Sequence, residues 1–164
     1  MIEKILRKSF IISSLLVFSI FLLDRLSKIY VIYLDKKFLG SELFSSKFLN
    51  IRLIWNEGIA FGLLSFDQEN LYNLLTILIS LIVLVILYLI FKSKGIAKYA
   101  LLMIFSGALG NLYDRILYKA VPDFIDVHIN GYHWFIFNIS DIFISIGVII
   151  MIFFEILTNK KKYD

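Results

Sequence analysis

The sequence contains no cysteine, which excludes disulfides, thiolate metal sites and a cysteine nucleophile. It has only two histidines, His128 and His133. They lack the spacing of a metal-ligand set, so no metal is expected. HExxH, a phosphate-binding loop, GxSxG and GxGD are all absent, and with them the marks of zinc peptidases, P-loop enzymes, serine hydrolases and presenilin-type proteases. No internal repeat or low-complexity segment occurs. Charge is scarce, at 18% Asp, Glu, Lys and Arg. The formal net charge of +4 is not gathered into one basic stripe, so nucleic acid is not an expected partner.

Apolar side chain is what the sequence has in excess. Of its 164 residues, 60% are hydrophobic, and the mean hydropathy is +0.85. A soluble domain is roughly half apolar, so the solvent of this chain is largely lipid. Four stretches approach the length of about 20 apolar residues that a bilayer requires. They run over about 10–34, 71–91, 99–117 and 138–157. Only the second is free of charge; the first holds Asp24, Arg25 and Lys28, the third has Asp114 and Arg115 near its end, and the fourth has Asp141 near its start. The fold class expected is an all-α integral membrane protein of four spans in one domain, 1–164. The basic start and apolar core resemble a signal peptide, but no small-residue cleavage site follows and the segment continues to Leu34. It is read as an uncleaved span.

Basic residues set the orientation. Lys4, Arg7 and Lys8 precede span one, Lys92, Lys94 and Lys98 fill the second-to-third loop, and Lys160, Lys161 and Lys162 close the chain. All three clusters fall on one side, so positive-inside bias places both termini in the cytoplasm. The loops 35–70 and 118–137 are then extracytoplasmic. Leu49, Ile51, Leu53 and Trp55 alternate as in a half-buried strand, and 132–137 is a second aromatic strand candidate. A small sheet is expected on the outer surface.

An acidic side chain inside a span costs roughly 2.5–3.5 kcal/mol on insertion scales, and Asp24, Asp114 and Asp141 each carry that cost. At 1.5 Å per residue, Asp24 and Asp114 lie about 21–23 Å from the inner face. Asp141 enters from the other side, in the first turn of span four. The three converge on the outer third of the bilayer, as residues of a single site would. Plainer readings stand beside this one. Asp24 and Lys28, spaced i, i+4, can neutralise one another. Asp114 and Arg115 can form an interfacial clamp, Ser106 and Gly110 a helix-packing pair, and Asn138 a cap for span four. Asn111, Asp114 and Arg115 share one helix face. Asp123 and Asp141, if brought close, cannot both ionise and would share a proton to polarise a water. Spacing alone does not bring them together.

Five segments, in order, resemble those of the lipoprotein signal peptidase (signal peptidase II) family. They are Asp24-Arg-Leu-Ser-Lys28, Asn56-Glu-Gly-Ile-Ala-Phe-Gly62, Gly107-Ala-Leu-Gly-Asn-Leu-Tyr-Asp-Arg115, Val121-Pro-Asp-Phe-Ile125 and Phe137-Asn-Ile-Ser-Asp141. The resemblance implies an aspartic endopeptidase that cuts before a diacylglyceryl-modified cysteine, with Asp123 and Asp141 as catalytic residues. It implies substrate-binding or site-ordering roles for Asp24, Asn56, Asn111, Asp114, Arg115 and Asn138. No cofactor is implied; the partners are lipid-modified prolipoproteins and membrane lipids, and the location is a bacterial cytoplasmic membrane with the site toward the outer leaflet. Pro122, before the first catalytic position, and Ile139, in a slot often held by a smaller residue, depart from the pattern. The alternative is a small ion- or proton-conducting protein. Conduction calls for polar positions through the full depth of several spans, and span two carries no charged residue.

Overall fold

The computed structural model describes residues 2–58, 69–129 and 131–163. Four helices, α1 (Ile2–Lys37), α2 (Glu69–Lys92), α3 (Gly95–Tyr118) and α4 (Ile139–Tyr163), are joined to four strands. The strands are β1 (Phe44–Ser45), β2 (Leu49–Asn56), β3 (Val121–Ile129) and β4 (Tyr132–Phe137). All four helices are long and apolar enough to cross a membrane, over Ser9–Lys37, Glu69–Lys92, Gly95–Tyr118 and Ile139–Thr158. The expected spans are present, each somewhat longer than its apolar core. The second-to-third connection is shorter than expected: Lys92 and Lys98 belong to helices, leaving only Ser93 and Lys94 as the turn.

The helices expose apolar side chains outward, among them Leu74, Leu81, Phe153 and Leu157. Lipid-facing surface needs no cover, so the interior is free to hold polar groups. α3 is the central helix and packs on the other three, while α1 and α2 meet chiefly through it. Its seam with α4 is close because Gly110 faces Ser140 and the Asp24 carboxylate; a Cβ there would lie 2.8 Å from Asp24 Oδ2.

The sheet is antiparallel in the order β1-β2-β3-β4. It joins the two long loops, because β2 comes from the first and β3 from the second. The segment around Pro122 is strand, not loop. Val121, Pro122, Asp123 and Phe124 are buried in succession, so it lacks the alternation by which a half-buried strand is recognised. Pro122 lies opposite Trp55, before the stretch Ile125–Ile129 where β4 joins. Its missing N–H is tolerated because β3 has a single neighbour there. A register shift between Ile51 and Ile54 brings Ile54 opposite Asp123, and such irregularities commonly re-aim a side chain beside a site.

Candidate active site

The end of β4 and the start of α4 form the centre of the site. Asn138 caps α4: its Oδ1 accepts from the Asp141 N–H at 3.2 Å, and Asp141 Oδ2 accepts from the Asn138 N–H at 3.1 Å. This is a reciprocal capping box built with an aspartate. The Asn138 side-chain amide also donates to Asp123 Oδ1 at 2.6 Å. One residue therefore touches both carboxylates, one from β3 and one from α4. Sequence spacing did not bring Asp123 and Asp141 together; the sheet-to-helix junction does.

Two further asparagines complete the setting. Asn56, at the end of β2, donates to Asp123 Oδ2 at 2.9 Å, and its Oδ1 accepts from the Gly58 N–H at 2.9 Å. Asn111 of α3 donates to Asp141 Oδ1 at 2.8 Å, and its Oδ1 accepts from Lys28 Nζ at 2.8 Å. Asp123 is 3% exposed, whereas Asp141 and Asn111 are only partly buried. Burial first, and then the Asp141 charge, pushes the Asp123 pKa up to about 6 against the opposing donors Asn56 and Asn138.

Beneath this layer lies a charge cluster. Lys28 Nζ donates to Asn111 Oδ1 at 2.8 Å and to Asp114 Oδ2 at 2.7 Å, and pairs with Asp24 Oδ1 at 2.9 Å. Arg25 meets Asp114 with both terminal nitrogens and Asp24 at 2.5 Å. Asp24 Oδ1 also accepts from the Ser140 N–H at 3.1 Å. Two cations thus balance two anions, which is what permits the burial of Asp24, Asp114 and Lys28. Asp114 pairs with α1 and not with its neighbour Arg115, so the clamp reading is replaced by an interhelical one. Arg115 binds the Gly58 carbonyl, and its backbone carbonyl accepts from Tyr72 at 3.1 Å.

Every expected site residue thus falls in one connected region. Residues 59–62 of the second segment lie outside the described residues. Arg25 and the full role of Lys28 were not foreseen. The signal was charge balance: Asp24 alone leaves one cation of α1 unmatched, and Asp114 lies at the same depth. His133 Nδ1 is 2.9 Å from Asp126, on the sheet.

The model of the Signal peptidase (SPase) II family matches residues 16–157. The chain belongs to this family. A lipoprotein signal peptidase of Pelagibacter ubique is 45% identical, over 98% of this chain and 96% of that protein. One from Francisella tularensis subsp. mediasiatica is 39% identical, over 82% of this chain and 87% of its own length. A bacterial membrane enzyme solved by the in meso method at 2.3 Å resolution superposes with a TM-score of 0.73 at 32% identity, covering 93% of this chain and 91% of that one. Membership makes the chain a multi-pass bacterial membrane protein of a peptidase family, and the conducting alternative is not favoured.

Proposed function

We propose that this chain removes signal peptides from diacylglyceryl-modified prolipoproteins, using Asp123 and Asp141 as one acid–base unit. The observation that supports this is the double role of Asn138, which ties both carboxylates to a single side chain. With one proton between them, the ionised member takes a proton from water as it attacks the amide carbonyl. The protonated member donates a hydrogen bond to the developing oxyanion and later gives its proton to the leaving nitrogen. Each carboxylate oxygen of the pair accepts one amide donor, from Asn56 and Asn138 on Asp123 and from Asn111 and the Asn138 N–H on Asp141. An oxygen has a second lone pair for that proton or for water. Asp24, Arg25, Lys28 and Asp114 brace Asn111 and the α4 start; Asn56 and Arg115 hold Gly58, just after β2, and meet the substrate backbone.

Both termini face the cytoplasm and the sheet lies outside, so the dyad sits near the outer leaflet, where the substrate lipid resides. Acyl burial adds about 0.8 kcal/mol per methylene, so recognition depends on the lipid. The test is cleavage of lipidated and unlipidated precursor by purified protein in bilayers. Turnover of the lipidated form alone is expected, and equal turnover of both overturns the reading. Asp123→Asn and Asp141→Asn should each reduce cleavage by at least about 10²–10⁴-fold, with the double variant scarcely worse. Substantial activity in either single variant would remove the dyad.

A further inference from the structure

From the end of the bundle opposite the candidate carboxylates, α1, α2 and α3 line a cavity of about 590 Å³ that reaches inward as far as Phe21 and Leu109, below the charge cluster. That is within the range of roughly 300–1,000 Å³ typical of ligand pockets. Its depth is apolar, with Val17, Phe21, Phe105 and Leu109, and its lips Phe10, Phe18 and Phe91 are exposed. It opens sideways, because α1 and α2 meet chiefly through α3. The rim is polar: Lys98 Nζ lies 3.3 Å from Ser9 Oγ. One turn deeper, Ser13 lines the cavity, is 9% exposed and has no hydrogen-bond partner among the described residues. Thr76, Ser80, Ser106 and Thr158 by contrast donate to the carbonyl four residues back. The other unpartnered buried hydroxyl among the described residues, Ser140, faces Gly110 in the α3–α4 seam and not this cavity.

We propose that this groove holds one anionic glycerophospholipid of the leaflet facing the chain termini. Three levels match that molecule in order. Lys98 and Ser9 meet the phosphate, Ser13 donates to an ester carbonyl about one helical turn, or roughly 5–6 Å, deeper, and an acyl chain follows the aromatic wall. A signal-peptide helix fits less well, because its basic leading region would meet Lys98 and the neighbouring Lys92 and Lys94. The lipid would fill the gap between α1 and α2 and so hold the far ends of the helices that carry Asp24 and Tyr72.

Native mass spectrometry of the delipidated full-length protein tests this, with phosphatidylglycerol, phosphatidylcholine and inorganic phosphate as probes. One phosphatidylglycerol should bind, about fivefold tighter than phosphatidylcholine, the increment expected for one lysine near a charged headgroup. Lys98→Gln should erase the preference, and Ser14→Phe, which plugs the groove from its exposed rim, should abolish retention. Asp123→Asn should bind lipid as the parent does, which separates this site from the peptidase reading. Equal retention of both lipids, undiminished binding in Ser14→Phe, competition by inorganic phosphate, or displacement of the lipid by a signal peptide would each overturn the proposal.

Discussion

Each of the asparagines at the dyad has its carboxamide oxygen occupied by a donor: the Gly58 N–H on Asn56, Lys28 on Asn111 and the Asp141 N–H on Asn138. A carboxamide has one acceptor end and one donor end, so each NH₂ is forced toward a carboxylate. The orientation is fixed by chemistry and not by rotamer preference alone. Lys28 is therefore a positioning residue for Asp141 as well as a counter-ion. Lys28→Met should destabilise the protein by about 3–5 kcal/mol, because it strands buried carboxylates; unfolding in matched detergent measures this. Asp123 carries a second expectation. Its pKa rises from 3.8 to about 6, so across that window the folded state binds its proton more tightly than the unfolded state. Stability should be greatest below the window and fall as pH rises through it. In kinetics, kcat/KM should lose activity above about pH 6 as the shared proton leaves the free enzyme. The kcat limb should lie higher, because bound substrate excludes water and further disfavours a second charge. Coincident limbs would contradict this account.

Among the elements, the α3–α4 seam sets the site most tightly. Gly110→Val would drive a side chain toward Asp24 and Ser140, pushing back the helix that carries Asp141. A misplacement of about 1 Å can cost on the order of 10²-fold in rate, so cleavage should fall by that order while membrane insertion persists, as assays at matched abundance would show. The helices were legible in the sequence because lipid imposes one requirement, a long apolar run, and Asp141 in the first turn of α4 followed from it. β2 and β4 were legible from alternation and aromatic content. β3 was not, because Val121–Phe124 is buried continuously. The register shift beside Asp123 and the double contact of Asn138 arise from how sheet and helix meet, and no local pattern announces them. The common depth of Asp24 and Asp114 was visible; that Arg25 and Lys28 would bridge them was implied only by charge balance.

For the whole molecule, the proposed orientation predicts that cysteines placed at the exposed positions Glu57 or Gly131 label only from outside, and that terminal tags are reached only from the cytoplasm. Labelling of either loop from the cytoplasmic side alone would move the dyad to the wrong leaflet. The sheet order has another consequence. α1, β1, β2 and α2 precede the Ser93–Lys94 turn, and α3, β3, β4 and α4 follow it. The chain is thus two halves of two helices and two strands each, joined where β2 meets β3 and where α3 packs on α1 and α2. Both candidate catalytic carboxylates belong to the second half, while Asn56 and the Lys28 that orients Asn111 belong to the first. Neither half contains the whole of the proposed centre, so on that proposal competence would arise only when the seam closes, and a nascent chain would stay chemically silent until α4 is in place.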